Sequence, residues 1–178
     1  MAIDYPRWLE CSLRSDHAGE LGAVWIYRGI LWASRDTQLR AFAEHHLFTE
    51  SQHLIDIESI LSPEYRSRLL PLWKLFGFIV GAIPCLVGKE LVFHTIDAVE
   101  SFVDEHYLKQ INQLDSVENV DFDFSSIREL LIKCRADEIL HRDEARDFAT
   151  TSQSQFTKLW CKAVAIGSRI AVAFAMRI

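Results

Sequence analysis

The chain has 178 residues, 49% of them apolar, and a formal net charge of −6. This length suits one domain, residues 1–178, with a proper core, and the composition excludes a disordered protein. An acidic chain with no basic stripe and no nucleic-acid motif is not expected to bind nucleic acid.

The four cysteines, Cys11, Cys85, Cys134 and Cys161, are far apart and form no C-x-x-C pair. That disfavours a rubredoxin-like or zinc-ribbon site and suits free thiols in a reducing compartment. The opening "MAIDYPRWLE" lacks the charged-then-apolar layout of a secretion signal, so export is not expected.

Glycine and proline number only 7 and 4, and no alternating strand pattern occurs, so the chain reads as all-α. A first helix is predicted over about residues 12–34, with a break at "SRDT". A second runs to "SILSP", where Pro63 stops it. A very apolar third stretch covers about 69–88. A fourth helix starts near "GKE" and ends near Leu114. "DSVENVDFDFSS" is a polar connection, a fifth helix carries "EILH", and a sixth closes the chain from about Phe156.

Between Lys74 and Lys89, "LFGFIVGAIPCLVG" holds 14 residues without a charge. That is short of the roughly 18 to 20 residues needed to cross a bilayer, and Pro84 interrupts it. It reads either as a buried core helix or as a segment in a membrane interface. The last helix favours the interface. Lys158, Lys162 and Arg169 fall on one face of an otherwise greasy, aromatic-bearing helix, which suits anionic lipid. The expectation is a peripheral membrane protein on the cytoplasmic face of an inner or cell membrane.

The chemistry is carried by two tetrapeptides, "ESQH" at 50–53 and "EILH" at 138–141. Residues i and i+3 share a helix face, so each presents a carboxylate and an imidazole together. Ferritin-like dinuclear proteins use two such helices plus one glutamate from each of two others. Depth along a helical hairpin tests for those glutamates. From a turn at Asp36, Glu50 lies 14 residues forward and Glu20 lies 16 back; from a turn near Asn119, Glu138 and Glu100 each lie 19 away. The chain is thus a twofold repeat of "E … E-x-x-H" joined by an apolar crossover. It predicts a ferritin-like four-helix bundle, plus a crossover helix and a C-terminal amphipathic helix. Four carboxylates and two imidazoles suit two ions of iron or manganese, and four negative ligand charges would offset a pair such as two Fe ions.

The same residues resemble the demethoxyubiquinone hydroxylase family, the 5-demethoxyubiquinone monooxygenases. The resemblance runs through "DHAGELGAVWIYRG", "ESQHL", "LWKLFGFIVGA", "GKE", "AVE" with "HY", and "DEILHRDEA". Carried over by position, it implies the metal ligands Glu20, Glu50, His53, Glu100, Glu138 and His141, the six that depth selected. It also implies a di-iron monooxygenase acting with O2 on the ring of a polyprenyl benzoquinol in ubiquinone biosynthesis. The partners would be that quinol, O2, a membrane lipid surface and an unidentified reductant or reductase. A homodimer, or a complex with other ubiquinone-synthesis proteins, is left open. The resemblance makes His106 and Tyr107 candidates for handling protons or electrons beside the metals. It departs at Asp97, one turn before Glu100, where an apolar residue is expected, and at His94; both bear on ring positioning.

Other polar residues have plainer readings. Asp137 is expected to orient a ligand histidine from the other hairpin. Asp16 and His17 are expected to shape the start of the first helix. His45 and His46 are adjacent, cannot both face the core, and read as surface groups or as supports behind the ligands. The rival readings are a ferritin-like iron store, a peroxidase not acting on quinones, and a structural bundle. The apolar runs disfavour the store, and the absence of a cysteine-ligated iron motif disfavours the peroxidase. The structural bundle would leave four buried glutamates uncompensated.

Overall fold

The computed structural model describes residues 5–117 and 123–178. Its helices are α1 (Arg7–Ala33), α2 (Thr37–Ile60), α3 (Leu70–Val87), α4 (Lys89–Ser116), α5 (Ser125–Phe148) and α6 (Gln155–Ala175), with one 3-10 turn, Pro63–Tyr65. No strand occurs among the described residues. The fold is an all-α, ferritin-like bundle: α1, α2, α4 and α5 form the four-helix body, α3 crosses between hairpins, and α6 packs on α4 and α1.

Local chemistry sets the ends. Asp36 caps α2 by accepting the Leu39 N–H at 2.9 Å, and the Ser154 hydroxyl caps α6 by accepting the Thr157 N–H at 3.1 Å. Gly88, at φ 147°, is all that separates α3 from α4; a side chain there would be strained. The centre assigned to the second turn, Asn119, lies outside the described residues.

Helix α1 begins at Arg7 rather than near residue 12. Pro6 has no N–H to leave unpaired, Leu9 is buried, and the Trp8 ring meets Phe124 edge-on at 6.0 Å. Tertiary contact therefore extends the helix past its periodic stretch. Asp16 and His17 do not shape its start; they lie in its middle and are buried.

The apolar core comes in two clusters. One gathers Tyr27, Ile30, Phe42, Phe93 and Ile96; the other gathers Leu9, Leu13, Ile57, Ile111 and Leu131. On each body helix the clusters leave a gap, and in those gaps lie Glu20, Glu50 with His53, Glu100, and Glu138 with His141. All six are at most 3% exposed. A polar layer is thus sealed between two greasy ones.

Helices α1 and α3 touch backbone to backbone. A Cβ on Gly81 would strike the carbonyl oxygen of Ile26, one on Gly29 that of Phe78, and one on Gly77 that of Gly22. Helix α3 has 18 residues at a mean hydropathy of 1.9, with 22% of them buried. By length and composition it could cross a membrane, where the 14-residue charge-free run alone falls short.

Candidate metal centre

The six residues chosen from sequence converge. Ligand atoms of Glu20, Glu50, His53 and Glu138 lie within 4.8 Å of one another, as do those of Glu50, Glu100, Glu138 and His141. Glu50 and Glu138 belong to both sets, so each could serve either of two ions. Glu20 and Glu100 each belong to one. His141 Nδ1 is 3.0 Å from Glu50 Oε1 and 3.3 Å from Glu138 Oε2; His53 Nδ1 is 3.3 Å from Glu138 Oε1 and 3.5 Å from Glu20 Oε2.

The donor atoms are orphans. Glu20 Oε2, both Glu50 oxygens, Glu138 Oε2, His53 Nδ1 and His141 Nδ1 are buried with no hydrogen-bond partner among the described residues. Buried polar atoms are almost always paired, so six together at one point call for a bound group. Two divalent cations would neutralise four carboxylates between two neutral imidazoles, and the oxygen-rich donor set suits iron or manganese.

The electrostatics of the bare side chains say the same. Burial, then the charges of Glu138 and Glu20, push the Glu50 carboxyl well above the ordinary carboxylate value. Burial with Glu138 and Glu50 does the same to Glu100. Burial would also raise Glu138, but the His141 and His53 imidazoles beside it pull it down to about 2. Burial opposes charge on His53 and His141, yet the surrounding carboxylates outweigh it and raise both imidazoles. Positive charge is what this pocket lacks.

Supporting groups hold the cluster. His53 Nε2 lies 3.0 Å from Asp137 Oδ2, so the histidine donates to the carboxylate and turns its Nδ1 lone pair inward. Tyr107 donates its hydroxyl proton to Glu20 Oε1, and Tyr27 donates to Glu100 Oε1 at 3.1 Å. Burial first, then neighbouring carboxylates, raise both tyrosines well above the usual phenol value, so both keep that proton. Reading the sequence missed Tyr27, although the signal was there: it follows Glu20 by seven residues, as Tyr107 follows Glu100.

His106 stands beside the cluster, 3.0 Å from Asp16 Oδ1 and 2.9 Å from Gln110 Nε2. Asp16 also accepts from Gln110 Nε2 at 2.7 Å, and His17 reaches Glu58 at 3.0 Å; neither Asp16 nor His17 joins a ligand set. His46 is buried rather than at the surface, its ring 4.1 Å from that of His141, while His45 is exposed. Burial and the charges of His141 and His45 lower its pKa to about 3.

A cavity of about 780 Å³ opens between α1, α3, α4 and α6. Glu20, Glu50, Glu100, Glu138, His106 and Tyr107 lie along it, and the rest of its wall is mainly apolar, with Trp73, Phe76, Phe102, Trp160 and Phe174. Asp97 and His94 do not line it. Asp97 pairs with Arg146 at 2.7 Å, and His94 reaches the Thr151 carbonyl at 3.1 Å. Neither lines the cavity, so the doubt that these two departures cast on ring positioning finds no support in their placement. Arg169 is likewise engaged, 3.1 Å from Glu105.

A helical bundle with glutamates from four helices, and a histidine one turn after two of them, has the layout of the ferritin-like dinuclear carboxylate proteins. Comparison with known proteins narrows the class. The family model described as "Ubiquinone biosynthesis protein COQ7" matches residues 7–175, and the chain belongs to that family. It is 33% identical over 138 residues to the human "NADPH-dependent 3-demethoxyubiquinone 3-hydroxylase, mitochondrial", covering 76% of this chain and 62% of that protein. The Dictyostelium discoideum protein of the same name is 32% identical over 136 residues, 75% of this chain and 61% of its own length. The Rhodospirillum rubrum "3-demethoxyubiquinol 3-hydroxylase" is 33% identical over 135 residues, 74% of this chain and 60% of its own. The chain thus spans about three fifths of the length of these relatives.

Proposed function

We propose that this chain is an O2-dependent monooxygenase that hydroxylates the ring of a demethoxyubiquinol-type polyprenyl benzoquinol in ubiquinone biosynthesis. The observation that carries the reading is the set of orphaned donor atoms at the inner end of an apolar cavity. Glu20, Glu50, His53, Glu100, Glu138 and His141 would hold two iron ions, which when bound supply the activation of O2. One oxygen atom enters the ring, the other leaves as water, and a reductant provides the two electrons. The curated names of two relatives include "NADPH-dependent", so a nicotinamide is the first reductant to try.

The protein's own groups bind, orient and exclude. The apolar wall accepts a greasy ring and keeps water from the carboxylates. Asp137 fixes His53, while Tyr107 holds one oxygen of Glu20 and Tyr27 one oxygen of Glu100. His106, on the cavity wall with Asp16 Oδ1 at 3.0 Å, would carry a proton between the ring and that carboxylate. Exposed apolar residues of α3 and α6, among them Leu72, Phe76, Ile170 and Phe174, surround the cavity mouth. They support docking on a membrane, from which a polyprenyl substrate would enter directly.

The test is turnover of iron-loaded protein with a demethoxyquinone, reductant and 18O2, followed by mass spectrometry. One labelled oxygen in the product is expected, and a product without label overturns the reading. Glu20→Ala and Glu100→Ala should each lower the metal content below two per chain.

A further inference from the structure

The apolar cavity is a poor entrance for a hydrated metal ion, because stripping water from a charge among apolar side chains costs several kcal/mol or more. A different set of groups leads from solvent toward the same pocket between α2 and α5. His45 is exposed and Glu144 is half-buried. His46 is 1% exposed, and its ring meets that of His141 edge-on at 4.1 Å. None of the three lines the cavity. One ligand atom from each lies within 4.8 Å of the other two.

His46 supplies the independent observation. Its Nε2 is 2.9 Å from Glu144 Oε2, yet neither ring nitrogen has a hydrogen-bond partner among the described residues. A buried imidazole this close to a carboxylate, but out of line for a hydrogen bond, is placed as two groups are when they share an ion rather than a proton. Two imidazoles and a carboxylate with open positions suit Fe2+ and its neighbours in the first transition row, whereas Mg2+ and Ca2+ favour oxygen alone.

We propose that His45, His46 and Glu144 form a third metal site, which captures a divalent transition-metal ion from solvent and passes it to the buried pocket past His141. The site stands on its own geometry. The hand-over rests on the dinuclear reading above.

The experiment compares wild type with His45→Ala and Glu144→Gln, changes at exposed or half-buried positions that leave His46 and the core intact. Zn2+ is titrated into the full-length, metal-free protein by calorimetry, with metal counted after gel filtration. Wild type should take up about one zinc per chain more than either variant. Fe2+ uptake at limiting iron is then followed by stopped flow. Both variants should load about tenfold more slowly and reach the same final content, as expected when a charged collecting site is lost from a binding path. Equal zinc content in wild type and variants overturns the site. Loss of one zinc with an unchanged rate of iron uptake overturns the hand-over. If wild type takes up no buried pair of ions, the dinuclear reading fails, and the zinc difference still decides the third site.

Discussion

Tyr27 and Tyr107 are exchanged partners: each follows a glutamate of its own helix by seven residues and donates to the glutamate of the other. Tyr27 of α1 bonds Glu100 of α4, and Tyr107 of α4 bonds Glu20 of α1. The twofold repeat thus extends from the donors to the groups that hold them. Either tyrosine changed to Phe leaves a buried carboxylate oxygen unpaired, and metal affinity should fall by roughly ten to a hundredfold. Only Tyr107 lines the cavity, so Tyr107→Phe should also lower kcat at full metal occupancy, whereas Tyr27→Phe should not. Metal titration and steady-state rates at saturating iron separate the two; equal kcat loss in both variants would remove Tyr107 from the reaction.

Asp137→Asn keeps the size of the side chain that faces His53 Nε2 at 3.0 Å and removes its charge. The amide can present an N–H where the histidine expects an acceptor, which frees the ring to adopt the wrong tautomer. The variant should fold normally and bind iron about ten to a hundredfold more weakly. Wild-type iron content across a chelator series would show that His53 is oriented by something else.

Metal-free protein should lose thermal stability as pH rises above about 7, and bound metal should remove that loss. Glu50 and Glu100 have folded pKa values well above 4.5, so the folded state holds protons that the unfolded state has released. His53 and His141 are raised above 6.5 and act in the same direction, with stability lost as pH climbs from there through their folded values. His17 and His46 are lowered, His46 to about 3, and oppose this only below the unfolded value of 6.5. Above it they are neutral in both states, and the sign is set by the other four. Scanning calorimetry from pH 7 to 9, with and without Mn2+, checks this; a metal-free Tm that rises over that range contradicts it.

The α1–α3 contact gives a packing test. Gly81→Ala puts a methyl group against the Ile26 carbonyl, and because both partners are backbone neither can swing aside. The cost should be about 2 kcal/mol or more. Gly167→Ala, on α6 with nothing within 4 Å of the new atom, should instead stabilise by roughly 0.5–1 kcal/mol. Urea unfolding of both variants decides; a neutral Gly81→Ala would mean that the helices separate without penalty.

Lys158 and Lys162 are exposed on α6. Their joint reversal, Lys158→Glu with Lys162→Glu, should weaken sedimentation with anionic vesicles at low salt and matter less as salt rises. Arg169 is a poorer probe, because it pairs with Glu105. Vesicle binding unchanged by the double reversal would show that α6 does not meet lipid through this face.

Element order, hairpin pairing and all six convergent residues were legible in the sequence, because helix pitch turns spacing from a turn into depth. Partnerships across the fold were not. Asp97 meets Arg146, 49 residues away, and Asp16 meets Gln110, 94 residues away; no local pattern connects either pair. Asp97 therefore read as an oddity of the ligand helix, although its carboxylate leaves that face for the neighbouring helix. His46 was ambiguous beside His45, and its burial follows from Phe42 and His141 closing over its ring.

The glycine seam between α1 and α3 has a mechanical consequence. Gly22 and Gly29 bracket the part of α1 that carries Ile26, and they bear directly on α3, while Glu20 projects from the turn just before them. Backbone meets backbone at Gly29, Gly77 and Gly81, and the Trp73 ring closes on Gly22, so a tilt of α3 toward α1 would press directly on that stretch. A load applied to the crossover helix would therefore be felt as a change in the height of Glu20 against Glu50 and Glu138. The crossover helix thus bears, without a cushion of long side chains at three glycines, on the helix that carries Glu20.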